Sequence, residues 1–366
     1  QKSKVLYLWT PDGNDPSGHN VEFKIRNHGF VISSHSYITI KGIHFFSCNF
    51  IAEMSDNCII EGCHFMYPTY TRLLYEPKTG NSYSTEGYEG SKAHCLVLGS
   101  SNTIKNCSYS WCASKCLEIR GVNNTIDNCL IHDASWYGNG WDTPLRINGE
   151  TGQPATGRNI VRNCTIFNSG SGALSFNGPG VIVEKNHVYY AGLCCKDVQA
   201  VGTASPLTAG NTVRYNWIHG CRTNFIPGEA KRVGGLGFRG DDQTRWLTVH
   251  HNVVWDTGRD GIIVKGDGNY IYNNTVFNIG EEGNPGNYIN LHQEPEPHKP
   301  FRPQFPLLPE QNSHSKIFNN IAYTITGANS GIPYSIAENL ANNCQCNETD
   351  FSDIQHFDFR PTKYSV

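Results

Sequence analysis

Eight short segments of the chain place polar and charged residues where a ligand could meet them. Each is four residues long, and they cover residues 96–99, 117–120, 145–148, 174–177, 199–202, 236–239, 262–265 and 289–292. Side chains alternate between the two faces of a β-strand, so the second and fourth residues of each segment point outward if the segment is a strand. The outward set would contain Glu118, Arg120, Arg146, Asn148, Asn177, Arg239, Lys265 and His292, with Ser175, Gly202 and Asn290 among them.

This outward set has cations at both ends and small residues in the middle. Arg120 and Arg146 lie at one end, and Arg239 and Lys265 lie at the other. A groove with a floor of small residues and fixed cations suits an extended anionic polymer. Arg can bind a carboxylate or a sulfate through two parallel hydrogen bonds, which fixes the orientation of a sugar. The simpler alternative is that these residues only solvate an exposed strand, because charged residues are common on protein surfaces.

Carboxylates near the same segments offer a different chemistry. Asp241 and Asp242 follow Arg239 directly, Asp260 follows Arg259, and Asp267 ends the next segment. With Glu118, Asp142 and Asp197 they would surround the same face. A glycoside hydrolase needs two carboxyl groups about 5–5.5 Å or about 6.5–9.5 Å apart across the bond that it cleaves. Asp242 with Asp267, or Asp197 with Asp242, could supply them. The same oxygens could bind Ca²⁺, although no EF-hand spacing is present. Turn formation is the simpler explanation, because Asp is common in turns.

Trp141 lies in one of four long excursions that leave the repeated segments, at residues 67–93, 132–144, 226–235 and 293–313. Exposed aromatic side chains beside a groove can stack on sugar rings. The alternative is that they hold the long loops against the rest of the chain. We therefore add Trp141 to the residues expected to bind a ligand, which are Glu118, Arg120, Arg146, Asn148, Asn177 and His292.

The elements that would position these residues repeat along the chain. Ten segments share the order apolar residue, any residue, turn residue, Cys or Asn, any residue, apolar residue, with Ile43 as the exception at the fourth position of the first. They begin at Ile40, Ile60, Ile104, Ile126, Val161, Val183, Val213, Val249, Ile271 and Ile317. Successive segments begin 20 to 46 residues apart. A short unit that varies in length only by becoming longer indicates a solenoid whose loops accept insertions.

The fourth position of the pattern changes residue type along the chain. After Ile43 it is Cys63, Cys107, Cys129 and Cys164, and then Asn186, Asn216, Asn252, Asn274 and Asn320. Equivalent residues of a parallel coil lie about 4.8 Å apart. Amides stacked in this way can bond to one another and to the turn backbone, while stacked thiols pack as small apolar groups. Such ladders are typical of right-handed parallel β-helices, and residues 37–326 resemble the pectate-lyase-like superfamily of secreted carbohydrate-active proteins. We therefore predict an all-β, single-stranded solenoid of about ten coils.

The resemblance implies an enzyme that degrades a polysaccharide. In the β-helix lyases of this superfamily, a Lys or Arg on the outward face takes the proton next to a uronate carboxylate, while another cation or Ca²⁺ neutralises that carboxylate. We predict that Arg239 and Lys265 lie one coil apart in the same outward column, with Lys265 as the base and Arg239 as the neutralising group. Swapped roles, or help from His292, Arg146 or Arg120, are alternatives. Three classes stay open: a polysaccharide lyase, which is favoured, a glycoside hydrolase, and a non-catalytic β-helix that binds ligands or forms filaments.

Length and composition are consistent with one elongated domain. The chain has 366 residues, a net charge of −3 and only 17% charged residues. Nothing in this balance predicts binding to nucleic acid, and no apolar run approaches a membrane span. We divide the chain into an entry segment at 1–36, a β-helix at 37–326 and a tail at 327–366 that packs on the last coil and hides its open edge. The chain begins abruptly in a strand-like segment, so we interpret it as a piece of a longer protein, and self-assembly is compatible with a solenoid.

The chain contains 14 cysteines, which at first suggest a disulfide framework. Four of them belong to the ladder, and buried stacked thiols need no partner. Cys95 and Cys116 precede equivalent strands of consecutive coils, so they form either a disulfide or two stacked thiols. The pairs at positions 194 and 195 and at 344 and 346 lie in predicted loops and are better candidates for oxidation. These candidates and the fold together favour an extracellular or periplasmic location.

Overall fold

A computed structural model of the protein describes residues 8–22, 26, 28–69, 94–136, 143–148, 157–195, 197–204, 206, 208–222, 234–281, 284–292, 312–327, 340–345 and 350–362. Much of the four long excursions, including Trp141, lies outside these ranges. Within them the architecture is almost entirely β-structure, with 3₁₀ turns at Pro16–Gly18 and Ile354–His356. The described part of the chain contains no helix that is long and apolar enough to cross a membrane.

The chain winds into coils that contribute strands to three long sheets, which have eleven strands each in the described residues. Sheet 1 contains His28–Ser33, Asn49–Glu53, Cys95–Leu98, Leu117–Arg120, Leu145–Asn148, Leu174–Asn177, Gln199–Ala204, Leu236–Asp241, Asp260–Val264, Asn287–Leu291 and Ile325–Gly327. Sheet 2 contains Thr39–Lys41, Ile59–Glu61, Thr103–Lys105, Thr125–Asp127, Ile160–Arg162, Ile182–Glu184, Thr212–Arg214, Thr248–His250, Tyr270–Tyr272, Lys316–Phe318 and Leu340–Ala341.

Sheet 3 contains His44–Phe46, His64–Met66, Ser108–Cys112, Leu130–Ala134, Thr165–Ser169, His187–Tyr189, Trp217–Cys221, Val253–Thr257, Thr275–Glu281, Asn284–Pro285 and Ile321–Ala322. The last of these pairs with Thr275–Glu281. Strands of successive coils pair in parallel, except that Asn284–Pro285 is antiparallel to its neighbour. A separate antiparallel pair is formed by Phe351–Asp353 and Asp358–Pro361. The predicted right-handed parallel β-helix is therefore confirmed.

The core is a column of apolar side chains that fills the inside of the coils. The middle residue of each short strand in sheet 2 points inward, and Ile104, Ile126 and Val161 are fully buried there. Near the N-terminal end the rings of Phe45, Phe65 and Tyr109 stack inside the helix, with successive centroids 4.8 and 5.0 Å apart. Alternation of buried and outward residues therefore holds along the short strands of sheet 2, as the two-residue period requires, whereas Gln199–Ala204, Leu236–Asp241 and Asp260–Val264 of sheet 1 are buried at every position.

The ladder lies at the turn between sheet 2 and sheet 3, as predicted. In its C-terminal half, the side-chain nitrogen of Asn186 donates to the side-chain oxygen of Asn216 at 3.0 Å, and Asn216 donates to Asn252 at 2.9 Å. The thiols of the N-terminal half are buried in the same stack. The amide stack also continues past its predicted end, because Asn320 donates to Asn343 at 3.0 Å. The helical region therefore extends beyond residue 326, and it begins before residue 37 with the strand His28–Ser33.

A second asparagine ladder, which the sequence analysis missed, lies at the turn between sheet 1 and sheet 2. Its members are Asn102, Asn124, Asn159, Asn211 and Asn269. The side-chain oxygen of Asn124, for example, accepts the backbone N–H of Asn102, and its nitrogen donates to the carbonyl of Gly99. These bonds satisfy buried turn groups that water does not reach. The signal was present in the sequence, because each of these Asn residues stands two positions before the apolar residue that begins a repeat.

The described part of the tail lies in two places. Leu340–Ala341 pairs with Lys316–Phe318, and Cys344 bridges to Ile321, so this part of the tail packs on the last coil as predicted. Residues 350–362 lie on the outer face of sheet 3, where aromatic side chains of successive coils are stacked. Phe357 packs on Trp217 at 5.2 Å between ring centroids, Phe359 packs on Trp255 at 5.0 Å, and Phe351 packs on Phe277 at 4.9 Å.

Of the two alternatives left open for Cys95 and Cys116, the disulfide does not form. Cys116 is bonded to Cys112, with 5.6 Å between their Cα atoms. The reason is the register of sheet 1, in which Cys95 pairs with Leu117 and not with Cys116. Position 346 lies outside the described residues, so oxidation of the pairs at positions 194 and 195 and at 344 and 346 stays a prediction.

Candidate functional site

Arg239 and Lys265 lie beside each other at sheet 1, but their columns differ from the prediction. Arg239 pairs in register with Gly202 on one side and with Ile263 on the other. Lys265 directly follows Val264, whose partner is Gly240. The prediction that Arg239 and Lys265 share one column is therefore wrong. The strand Asp260–Val264 pairs with a shift of two residues, which preserves the outward direction of both side chains but places them in neighbouring columns.

Arg239 and Lys265 meet on one carboxylate that the sequence analysis did not select, Asp241. An Nη atom of Arg239 lies 2.7 Å from one carboxylate oxygen of Asp241, and Nζ of Lys265 lies 3.0 Å from the other. Only 11% of each cationic side chain and 5% of the Asp241 side chain are exposed. The three residues form a desolvated cation–anion–cation group, which we call the Asp241 cluster.

The electrostatics of the Asp241 cluster favour the charged forms of Asp241 and Lys265. Burial acts to raise the pKa of the Asp241 carboxyl, but Arg239 and Lys265 outweigh it and leave that pKa below its usual value. For Lys265, burial acts to lower the pKa of the amine, but the negative charge of Asp241 outweighs burial and leaves that pKa above its usual value. An ion pair in a site of low dielectric stabilises the charged form of each partner.

The charged network continues from Arg239 towards the rim of the sheet. Arg239 donates to the side chain of Asp197 at 3.2 Å, and Asp197 is 60% exposed. Arg259 contacts the same oxygen of Asp197 at 3.2 Å and reaches Asp260 at 3.0 Å. The Nε–H of Arg239 is buried without a hydrogen-bond partner in the described residues. Such a donor is costly and is often found where a protein keeps groups ready for a ligand.

The two carboxylates proposed for hydrolysis have different surroundings. Asp242 lies beside the Asp241 cluster, with one oxygen 3.6 Å from Nζ of Lys265, and a third of its side chain is exposed. Asp267 lies in the next turn, where its side chain accepts the backbone N–H of Ser313 at 2.7 Å. Asp242 is therefore part of the site, whereas the contact of Asp267 is typical of turn formation.

At the N-terminal end of the same face, Glu118 is not exposed as predicted. Its side chain is 1% exposed and lies under Arg120 at 2.8 Å, Lys115 at 3.5 Å and His94 at 2.8 Å. Burial opposes its ionisation, but these neighbours, His94 first, leave the pKa of Glu118 well below its usual value. Burial also lowers the pKa of His94, which favours its uncharged form. Arg146 lies directly beside Glu118 in register.

The remaining predicted binding residues are spread along sheet 1. Asn148 pairs in register with Arg120 and with Asn177. The side-chain oxygen of Asn177 accepts weakly from Thr203 and from the backbone of Ala204, both at 3.4 Å. His292 follows the strand Asn287–Leu291, and its backbone N–H donates to Val264 at 2.9 Å. Trp141 lies outside the described residues, so its predicted stacking role stays a prediction.

In the described ranges, no group of three or more His, Cys, Asp or Glu side chains is arranged to hold a metal ion. Two oxygens of the Asp241 carboxylate already contact Arg239 and Lys265, and one oxygen of Asp197 contacts two arginines. The donor set predicted for Ca²⁺ is therefore engaged by cationic side chains in this arrangement. Besides Asp241, the sequence analysis also failed to select Arg259, for which its position before Asp260 was the only signal.

Comparison with known proteins places this arrangement in context. Residues 94–276 match the profile of the family described as "Right handed beta helix region". Pectate lyase 3 of Pectobacterium atrosepticum is 28% identical over 114 residues, which are 29% of this chain and 28% of that protein. The match thus spans little more than a quarter of that relative.

Three solved structures share the fold at low sequence identity. A mannuronic acid specific polysaccharide family 6 lyase from human gut microbiota superposes with a TM-score of 0.55, at 13% identity over 86% of this chain and 68% of that one. The periplasmic alginate epimerase AlgG gives 0.51, at 10% identity over 86% and 77%. Pectate lyase Pel9A gives 0.50, at 14% identity over 91% and 76%. With half of its length matched by the family profile and three parallel sheets wound in sequence order, the chain belongs to the right-handed β-helix family.

Proposed function

We propose that the protein is a polysaccharide lyase that cleaves an acidic glycan by β-elimination on the outer face of sheet 1. The observation that carries the proposal is the Asp241 cluster, in which Arg239 and Lys265 converge from neighbouring coils within hydrogen-bond distance of one carboxylate. The similarity to pectate lyase 3 and the shared fold of a mannuronic acid specific lyase support a polyuronate as the substrate. The fold, which is shared with the periplasmic alginate epimerase AlgG, also supports an extracellular or periplasmic location.

The chemistry assigned to the cluster follows from the acidity of the substrate. The proton on the carbon next to a uronate carboxylate becomes removable only when the charge of that carboxylate is offset. Arg239 is assigned this offset, because its guanidinium lies on the same carboxylate as the amine of Lys265. Lys265, in its uncharged form, accepts the proton. The released electron pair forms the carbon–carbon double bond, the bond to the glycosidic oxygen breaks, and that oxygen takes a proton from solvent as it leaves.

The role assigned to Asp241 is to position the two cations. Its two oxygens contact Arg239 and Lys265 separately, so it holds both head groups on the same side of the sheet. It is ill-suited to act as the general acid of a hydrolase, which needs a carboxyl group with a raised pKa, whereas that of Asp241 is lowered. Arg120, Arg146, Asn148, Asn177, His292 and Trp141 are retained as proposed binding residues along the same face.

An assay on a panel of polyuronates tests the proposal. Polygalacturonate, polymannuronate and polyguluronate are each incubated with the protein, and both ultraviolet absorbance and reducing ends are followed. A lyase produces both signals, because elimination leaves an unsaturated uronate at the new end. Reducing ends without absorbance on the panel would indicate a hydrolase, and neither signal would indicate a binding protein. Arg162→Ala is a matched control, because Arg162 is an arginine paired with Asp127 on sheet 2 and should not affect turnover.

The pH profile is expected to depend on Asp241. If Lys265 is the base, only its uncharged form is active, so turnover should rise with pH towards the raised pKa of Lys265. Asp241→Asn removes the negative charge that raises this pKa, and the rising limb of the profile should move to lower pH. The measurement is kcat/KM against pH for the wild type and the variant.

A structural role alone would lower turnover without moving this limb. Asp127→Asn, which removes a carboxylate paired with an arginine on sheet 2, serves as the control and should keep the wild-type profile. An unchanged limb in Asp241→Asn would argue against Lys265 as the proton acceptor.

A further inference from the structure

The outer face of sheet 3 is divided into two halves. In the C-terminal half, Phe357 and Phe359 of the tail cover the stacked rings. In the N-terminal half, three large aromatic side chains remain open to solvent: Phe46 is 54% exposed, Tyr67 is 44% exposed and Trp111 is 46% exposed. We call these three residues the aromatic strip. Tyr67 contacts both of the others, with ring centroids 5.7 Å from Phe46 and 6.3 Å from Trp111.

The backbone at the aromatic strip is unusual for aromatic residues. Tyr67 directly follows the strand His64–Met66, and Trp111 lies near the end of the strand Ser108–Cys112. Their φ angles are 55° and 57°. At the equivalent turn position, all with positive φ, other coils have Ser47, Asp133, Asn168, Tyr190, Gly220, Asp256 and Asn278. The left-handed conformation costs an ordinary L residue roughly 1–2 kcal/mol, and Gly, Asn and Asp adopt it most readily. A half-exposed ring recovers little of this cost by burial.

Tyr190, the third aromatic residue at this turn, has a packing explanation. The next coil has Gly220 at the equivalent position, and a Cβ atom there would lie 2.6 Å from the Tyr190 ring. The ring of Tyr190 thus occupies space that the glycine leaves free. Tyr67 is followed at the equivalent position by Trp111, and Trp111 by Asp133, so no glycine makes room for their rings. Their presence at a costly position is better explained by a ligand than by packing.

The polar groups beside the aromatic strip indicate which ligand. His44 and His64 occupy the neighbouring outward column, and Nδ1 of His64 is 2.7 Å from the hydroxyl of Ser108. The strands His44–Phe46, His64–Met66 and Ser108–Cys112 contain no Lys, Arg, Asp or Glu. Hydrogen-bonding groups beside aromatic rings suit a sugar, which has hydroxyl groups at its edge and C–H groups on its face.

We propose that the aromatic strip is a second glycan-binding site, which holds a sugar chain by ring stacking and hydrogen bonds on sheet 3, away from the Asp241 cluster. Successive coils lie about 4.8 Å apart, so Phe46, Tyr67 and Trp111 meet successive parts of one extended chain. The site would keep the protein on a polymer while sheet 1 acts on it. Binding by stacking does not depend on the lyase reaction, so the two proposals can fail separately.

The test uses substitutions that the fold itself suggests. Asn stands at the same turn at Asn168 and Asn278, so Tyr67→Asn and Trp111→Asn remove the rings and suit the backbone. Retention of the whole protein on insoluble cellulose, xylan and alginic acid is measured in about 1 M NaCl, where the Debye length is about 3 Å and the ionic attraction of sheet 1 is screened. Tyr190→Asn is the matched control, because it changes the same turn outside the aromatic strip.

We expect the wild type and Tyr190→Asn to be retained on at least one polysaccharide. The double variant, which combines Tyr67→Asn with Trp111→Asn, should bind it about tenfold more weakly or not at all. Turnover of a soluble polyuronate should stay at the wild-type level in all three proteins. Equal retention of the double variant would overturn the proposal, as would absence of wild-type retention on the whole panel at high salt or an equal loss in Tyr190→Asn. Thermal unfolding of each variant establishes that it is folded. If the lyase assay fails, retention is still measurable.

Discussion

Replacing Lys265 by methionine is expected to lower the turnover of a polyuronate by about 10³-fold, the scale of a lost general base. Methionine keeps the length of the side chain but cannot accept a proton. Arg239→Met should have a loss of similar size, because a preorganised charge that stabilises the developing anion contributes about 10²–10³-fold. The measurement is the rate of appearance of unsaturated product at saturating substrate, compared with Arg162→Ala on sheet 2.

Loss of folding must be separated from loss of chemistry in these variants. Removing one cation leaves Asp241 with a single partner, and a buried charge that loses its partner can destabilise a protein by about 3–5 kcal/mol. The double variant Lys265→Met with Asp241→Asn removes both charges, so it should recover stability in urea unfolding without recovering turnover. If this folded double variant, Lys265→Met and Arg239→Met all kept full turnover, the catalytic site would have to be placed elsewhere.

Asn252→Ala is expected to destabilise the protein by about 3–5 kcal/mol. The amide of Asn252 donates to the carbonyl of Val213 at 2.9 Å and to the side chain of Asn274 at 3.0 Å. Its oxygen accepts both the backbone N–H and the side chain of Asn216, at 3.0 and 2.9 Å. Alanine would leave several of these fully buried groups without a partner, at about 1–3 kcal/mol each.

Urea unfolding of Asn252→Ala and of a control from the same coil measures this effect. Thr248→Ala changes a half-buried outward residue of sheet 2 and should alter the free energy of unfolding by no more than about 0.5 kcal/mol. A loss in Asn252→Ala as small as that of the control would show that the ladder amides contribute little to stability, contrary to their hydrogen bonding in the structure.

The fold could be predicted from the sequence because its main signal is local. Each ladder residue stands at a fixed distance from the apolar residue that begins its repeat, so Cys129 and Asn252 were placed at the same turn without knowledge of the loops. The second ladder carries a signal of the same kind, as in Asn124 before Ile126, but its rungs are interrupted by Val181 and Leu247, where the acceptors come from the next coil. An interrupted column is harder to recognise by eye than a continuous one.

The candidate site could be predicted only in part, because it depends on register between coils. The outward direction of Arg239 and Lys265 follows from alternation within each strand, but which residues of two strands lie side by side depends on the loops and turns between them. The two-residue shift that brings Asp241 between the two cations has no local signature. Glu118 illustrates the same limit, because its partner His94 directly precedes the neighbouring strand Cys95–Leu98 and is brought to it by the pairing of the two strands.

In the two ladders, the number of residues between successive rungs does not affect the distance between their side chains. Asn252 and Asn274 are 22 residues apart, Asn274 and Asn320 are 46 residues apart, and both pairs form the same 3.0 Å bond. An insertion between rungs therefore changes what surrounds the helix without changing the helix. The loops between rungs can therefore change in evolution almost independently of the β-helix, and new substrate preferences can arise without a new fold.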